Sequence, residues 1–287
     1  MPPLTTKPRI ITTVAAARRA VLDAQAAGET VGFVPTMGAL HAGHLSLVDA
    51  SQTECDHTVV SIFVNPTQFG PREDQDRYPR TLERDCELLA ERGCWLVFAP
   101  SANEVYPEGF ETYVEVGSVA EPLEGKIRPG HFRGVATVVL KLFQMIPADR
   151  AYFGRKDYQQ SLVVNRMIAD FNLPIQLVVC PTVREVDGLA MSSRNAYLTA
   201  AERQQATALW RSLQLAESLA KDGEKDIAKI TAAMREVLSA AKIDDVDYIA
   251  FLADGTVEPV KAIAGPTVVA MAARVGQARL IDNHRIG

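Results

Sequence analysis

Residues 31–48, VGFVPTMGALHAGHLSLV, run from an apolar strand through a small, turn-prone loop into a helix. Val31-Gly32-Phe33-Val34 reads as a short buried strand, the loop spans Thr36 to Gly43, and Leu45, Leu47 and Val48 open a helical apolar stripe. Where a strand leads into a helix start, free backbone N–H groups gather at the positive end of the helix dipole, and glycine lets an anion approach the backbone closely. The junction therefore predicts a phosphate site. His41 and His44, three residues apart, project from the first helical turn toward the same ligand.

Outward from this junction, strands and helices alternate. Strands are predicted at Val31-Val34, Thr58-Val64, Trp95-Phe98, Ala151-Phe153 and Ile175-Val179, and helices at Ala15-Ala27, Leu45-Glu54, Leu82-Arg92, Val135-Ile146 and Tyr158-Asp170. Such alternation implies an α/β fold, a Rossmann-like parallel sheet with helices on both faces. Ligands of such sheets bind beyond the carboxyl ends of the strands, where the loops after Val34, Val64 and Phe153 converge. From about Val183 the grammar changes. Two long helices, Ala200-Lys221 and Asp226-Ala241, precede strands at Tyr248-Leu252, Thr267-Ala272 and Arg279-Ile281, which suggests a smaller α+β unit. The expected division is 1–181, a nucleotide- and substrate-binding domain, and 182–287, a domain closing over the site, with the boundary near Pro181-Thr182.

Composition narrows the function. The chain has 287 residues, 47% of them hydrophobic, enough for a substantial core, and a formal charge of −5 that argues against broad nucleic-acid binding. Cys55, Cys86, Cys94 and Cys180 show no ligand-like pairing, so neither a zinc knuckle nor a disulfide framework is expected. Met1 to Arg9 has no apolar signal core, and the apolar C-terminal stretch is interrupted by Lys261 and Arg274, so the expectation is a cytoplasmic protein without a membrane span.

Three further segments carry chemistry. In SIFVNPTQFG (61–70) an apolar strand runs into amides that can orient a polar substrate, and Pro71 to Arg80 reads either as a mobile cover or as a solvated loop. In FGRKDYQQ (153–160) a strand again meets a glycine and a helix, with Lys156 at the turn and Gln160 one helical turn on. Met191-Ser192-Ser193-Arg194-Asn195 offers two hydroxyls, backbone amides and a guanidinium as an anion nest, although taken alone it reads first as a turn and helix cap.

Together with RPGHFRGVATVVLKLF (128–143) and PTVREVDGLAMSSRN (181–195), these blocks resemble the pantoate–β-alanine ligase family of the HxGH nucleotidyltransferase superfamily. The resemblance implies ATP-dependent condensation of pantoate with β-alanine through pantoyl adenylate, releasing AMP and pyrophosphate. It assigns catalysis to His44, as proton donor, with His41 and Lys156. It implies ATP contacts at Met37, Gly38, Ala39, Leu40, His41, Ala42, Gly43 and His44, at Gly154, Arg155, Lys156 and Asp157, at Val183, and at Met191, Ser192, Ser193 and Arg194. Gln68 and Gln160 bind pantoate by the same analogy, and Gln68 also β-alanine. Mg²⁺ accompanies the nucleotide, with Asp85 as a candidate protein ligand or else a solvated helix-face acid. Arg128, His131 and Arg133 support the substrate site, His57 and His284 are surface or packing histidines, and a homodimer is implied. The alternatives are another HxGH nucleotidyltransferase or a noncatalytic nucleotide-binding regulator.

Overall fold

Six parallel strands form the larger sheet in a computed structural model of the chain, described over residues 7–71 and 73–287. They are β1 (Arg9–Ile11), β2 (Val31–Thr36), β3 (His57–Ile62), β4 (Leu96–Phe98), β5 (Arg150–Gly154) and β6 (Gln176–Cys180), in the order β1-β4-β3-β2-β5-β6. Helices α1 (Val14–Ala26), α2 (Ala42–Glu54), α3 (Leu82–Ala90), α4 (Ala102–Val105), α5 (Glu124–Ile127), α6 (His131–Met145) and α7 (Tyr158–Asp170) occur along the same stretch of chain.

Strand alternation builds two cores. Phe33, Val59, Leu96, Phe98, Ala151 and Phe153 pack with Val21 of α1, Val135, Val139 and Phe143 of α6, and Val163 and Met167 of α7. Their neighbours Val34, Val60, Val97 and Tyr152 point the other way and meet Leu45 and Val48 of α2 and Leu89 of α3. Gly32 sets the closeness of α2 to the sheet, because a Cβ there would overlap the Ser51 hydroxyl, which itself pairs with the Thr58 hydroxyl at 2.8 Å. Strand order reverses between β2 and β5, so the loops leaving these two central strands flank a switch point, the usual ligand position in such sheets.

The C-terminal sheet is antiparallel, β7 (Val246–Ala253), β8 (Thr267–Val275) and β9 (Ala278–Ile286) in that order. Helices α8 (Ala200–Lys221) and α9 (Ile227–Ala240) bury Leu209, Leu213, Ile230, Met234 and Leu238 against Val269, Met271 and Leu280. Thr199 starts α8 with a reciprocal cap, accepting from the Glu202 amide while its own amide donates to the Glu202 carboxylate.

The chain forms two compact units, residues up to Arg155 with Val163–Pro181, and Lys156–Leu162 with Thr182–Gly287. One crossing falls at Pro181 and Thr182, but residues 156–162 join the second unit, so the division is not the single cut expected from sequence. The sequence does not announce β1, since three residues with Arg9 and Ile10 exposed carry no strand pattern. Helix α2 begins at Ala42 and α6 at His131, earlier than their apolar stripes suggest. The signal-core reading of residues 1–9 falls partly outside the described residues, as does Arg72 of the 71–80 stretch.

Candidate active site

The loop after β2 is held from both sides. Thr36 Oγ1 donates to the Ser61 carbonyl at 2.7 Å and accepts from the Gly38 amide at 3.1 Å. Gly38 and Ala39 then take left-handed backbone angles, φ +84° and +51°. The Ala39 and Leu40 amides donate to Asp85 Oδ2 and Oδ1 at 3.0 and 2.8 Å, so these two donors are not presented to a ligand. This corrects the reading of Asp85. It is 1% exposed rather than a solvated helix-face acid, its oxygens also accept from Thr81 Oγ1 at 3.3 and 3.2 Å, and its carboxylate holds the loop.

His41 is the N-cap of α2, and His44 completes a reciprocal box. His41 Nδ1 accepts from the Gly43 amide at 3.2 Å, and His44 Nδ1 from the His41 amide at 3.4 Å. With Nδ1 accepting in both rings, each neutral imidazole carries its proton on Nε2. The rings lie 4.1 Å apart at 36°, giving a pair of co-located imidazole donors at the carboxyl end of β2.

Gln68 ends a 3-10 turn, Pro66–Gln68, that follows β3. Buried Asn65 organises it. Its Nδ2 donates to Gln68 Oε1 at 3.0 Å and to the Gly134 carbonyl at 3.2 Å, while its Oδ1 accepts from Tyr106 at 2.8 Å and Thr67 Oγ1 at 3.0 Å. Burial pushes the Tyr106 phenol up to about 12, keeping it a neutral donor. Gln68 Nε2 reaches Met37 Sδ at 3.2 Å, so the amide lies beside the first residue of the histidine loop. The turn packs on α6 at Gly134, where a Cβ would overlap the Thr67 carbonyl.

His131 donates from Nδ1 to the Gln68 carbonyl at 2.9 Å and accepts at Nε2 from Arg128 at 3.0 Å. Burial and the Arg128 charge push its pKa down to about 4, so the imidazole is neutral. Arg128 also grips Glu73 with two bonds of 2.6 Å. Burial raises the Glu73 carboxyl, but the bonds and charge of Arg128 outweigh it and hold the group below the usual carboxylate range. Arg128 and His131 thus buttress the Gln68 turn, whereas Arg133 lies over the Tyr113 ring at 4.1 Å. Further along, Glu73 is held by Arg128, and buried Tyr78 packs edge-on against Phe69.

Gly154 ends β5, and Arg155–Asp157 form a 3-10 turn before α7. In the second unit, Asn283 Nδ2 donates to the Lys156 carbonyl at 2.9 Å, Tyr158 donates to the Thr256 carbonyl at 3.0 Å, and Lys156 Nζ stands 3.6 Å from Asp157. Gln160 lies in the first turn of α7. Val183 and Met191 are neighbours on a short hairpin, the Met191 amide donating to the Val183 carbonyl at 3.0 Å. Arg184 braces that hairpin with two bonds to buried Asp282, 2.6 and 2.9 Å, and stacks on Trp210 at 3.8 Å. Ser192 Oγ accepts from the Arg194 amide at 3.3 Å and caps the turn Ser193–Tyr197.

Sequence reasoning missed Tyr106, Glu73, Asp282 and Asn283 as supports. Their partners lie far along the chain, and no local pattern marks them. His57 pairs with Glu29 and stacks on Trp95, and His284 pairs with Glu217, both away from the histidine loop in sequence and role. Among the described residues no group of three or more His, Cys, Asp or Glu side chains is placed to hold a metal ion.

A doubly wound parallel sheet with a histidine-capped helix at its switch point defines a nucleotide-binding α/β enzyme. The chain matches the family model described as pantoate-beta-alanine ligase over residues 9–285 and belongs to that family of ligases. It is 52% identical to the pantothenate synthetase of Moorella thermoacetica over 274 residues, 96% of this chain and 97% of the relative. It is also 52% identical to that of Thermotoga neapolitana over 279 residues, 97% and 100% of the two chains. The crystal structure of pantothenate synthetase from Thermus thermophilus matches with a TM-score of 0.92 at 48% identity, covering 96% of this chain and 98% of that one. A pantoate-beta-alanine ligase from Francisella tularensis, complexed with beta-gamma ATP and β-alanine, matches at 0.82 and 34% identity, covering 96% and 97%.

Proposed function

We propose that this chain joins pantoate to β-alanine at the expense of ATP in two steps through pantoyl adenylate. In the first, a pantoate carboxylate oxygen bonds to the α-phosphorus and the bond to pyrophosphate breaks. Charge gathers on phosphoryl oxygens, and donors set in place beforehand stabilise it without reorganising. His41 and His44 supply two such donors, with His44 giving a proton to the departing group. Lys156, Ser192, Ser193 and Arg194 hold the triphosphate, with nucleotide contacts at 37–44, 154–157, Val183 and Met191. In the second step the β-alanine amine bonds to the acyl carbon, the bond to AMP breaks, and the nitrogen gives up a proton. Gln68 and Gln160 hold pantoate, and Gln68 also β-alanine, because neutral amides bind hydroxyls and carboxylates without adding charge.

The observation that carries this reading is the Gln68 amide beside Met37, 3.2 Å from its sulfur. It gives the phosphate-facing histidine loop an adjoining group suited to a carboxylate acceptor. ATP enters as its Mg²⁺ complex. No set of metal-ligating side chains converges among the described residues, and Asp85 is engaged by the loop, so the phosphates rather than a protein cage hold the cation.

The test supplies ATP, Mg²⁺, D-pantoate and β-alanine and measures AMP and pantothenate. Equal amounts of both, with no AMP when β-alanine is withheld beyond one turnover, meet the expectation. Nucleotide transfer without amide formation would overturn it. The proposal extends to a cytoplasmic homodimer. All four cysteines are unpaired, as suits a reducing compartment, no described helix is long and apolar enough to cross a membrane, and light scattering at twice 31.3 kDa checks the assembly.

A further inference from the structure

Asp85 sits in the first turn of α3, 45 residues from the loop it serves. Both oxygens accept from that loop, Oδ1 from the Leu40 amide at 2.8 Å and Oδ2 from the Ala39 amide at 3.0 Å. Thr81, one turn earlier, donates its hydroxyl to the same carboxylate and its carbonyl accepts the Asp85 amide at 2.9 Å. Burial removes water that would compete for these bonds.

The loop needs such an anchor. Gly38 and Ala39 are both left-handed, and an alanine rarely holds that conformation unless its surroundings impose it. A Cβ on Gly38 would stand 3.1 Å from Asp85 Oδ2 and 3.0 Å from Ile62, so the carboxylate also closes the space on that side. Leu40 is followed directly by His41, whose cap geometry in turn sets the His44 ring. We propose that Asp85 is a positioning residue for adenylate formation, holding the Ala39 and Leu40 amides so that His41 and His44 aim their Nε2 donors at the phosphates. The inference rests on the reaction proposed above.

The test compares the wild-type chain with Asp85→Asn, which keeps the shape but replaces one acceptor by a donor. Single-turnover formation of pantoyl adenylate should slow by about 100-fold, the scale of a misaimed catalytic group. Aminolysis of supplied pantoyl adenylate by β-alanine should change less than about threefold, since the histidine donors serve the first step. In a double-mutant cycle, Asp85→Asn should add little to His44→Ala. Equal losses in both half-reactions, full additivity with His44→Ala, or recovery of Asp85→Asn on raising Mg²⁺ would each overturn the proposal. If Asp85→Asn does not accumulate folded, Thr81→Val removes only the supporting hydroxyl and should slow adenylate formation selectively by about fivefold; an unchanged rate there also overturns it. A wild-type chain without pantoate-dependent AMP formation would instead sink the reaction itself.

Discussion

Asn65 Nδ2 donates to Gln68 Oε1 at 3.0 Å, and this settles which end of the glutamine amide is spent within the protein. The NH₂ end is turned toward Met37 and, under the proposed function, is the end that meets pantoate. Gln68→Ala should therefore weaken pantoate use by at least about tenfold while ATP binding stays within about twofold. Tyr106→Phe, which takes away the phenol that supports Asn65, should raise the pantoate KM by about fivefold with kcat little changed. Titration of each ligand separately checks both, and equal losses for ATP and pantoate would indicate a collapsed site.

His44→Ala should lower the rate of adenylate formation by about 10² to 10³. The ring is half-buried in the first turn of α2 rather than a core side chain, so the thermal midpoint should fall by only a few degrees. Rapid-quench single turnovers read the first quantity and calorimetry the second. An unchanged single turnover would remove His44 from the chemistry.

Gly134 meets the Gln68 turn without a side chain between them, and the added methyl of Gly134→Ala would displace the Thr67 carbonyl. Stability should drop by about 1–3 kcal/mol, the cost of overpacking a tight contact. Pantoate affinity should fall with it, because the displaced turn carries Gln68. A variant with native denaturant midpoint and native pantoate KM would show that α6 does not set the turn.

His131 makes stability depend on pH. Its folded pKa is about 4, below the ordinary histidine value, so between about 6.5 and 4 the unfolded chain binds a proton that the folded chain does not. Its contribution is therefore fully present above about pH 6.5 and is lost as the pH falls toward 4, by up to about 1.4 kcal/mol per unit. Denaturant unfolding at several pH values in this window should show the slope, and His131→Gln should flatten it. An identical slope in the variant would assign the pH dependence elsewhere.

Much of this is legible in the sequence alone. Strands β2, β3 and β5 are buried on both faces and so read as apolar runs, and the spacing of His41 and His44 places both at one helix start. Asp85 gives no such sign. Glu83, Arg84 and Glu87 around it are not buried, and one buried acid in a charged helix looks like its neighbours until its partner 45 residues away is known. Tyr106 and Asn283 are hidden for the same reason, with partners 41 and 127 residues distant. Local spacing encodes what a loop presents; what holds the loop is written elsewhere in the chain.

Residues 156–162 belong with the C-terminal unit although the next nineteen residues return to the first. The backbone therefore passes between the units three times, and no single cut separates them. A fragment ending at residue 181 would keep Lys156 and Tyr158 but lose Asn283 and Thr256, whose amide and carbonyl secure that segment. Cleaved or swapped at the boundary that the sequence suggests, the protein would part with the anchors of its own lysine turn, so any exchange of the C-terminal portion between relatives has to carry this seven-residue insert along with it.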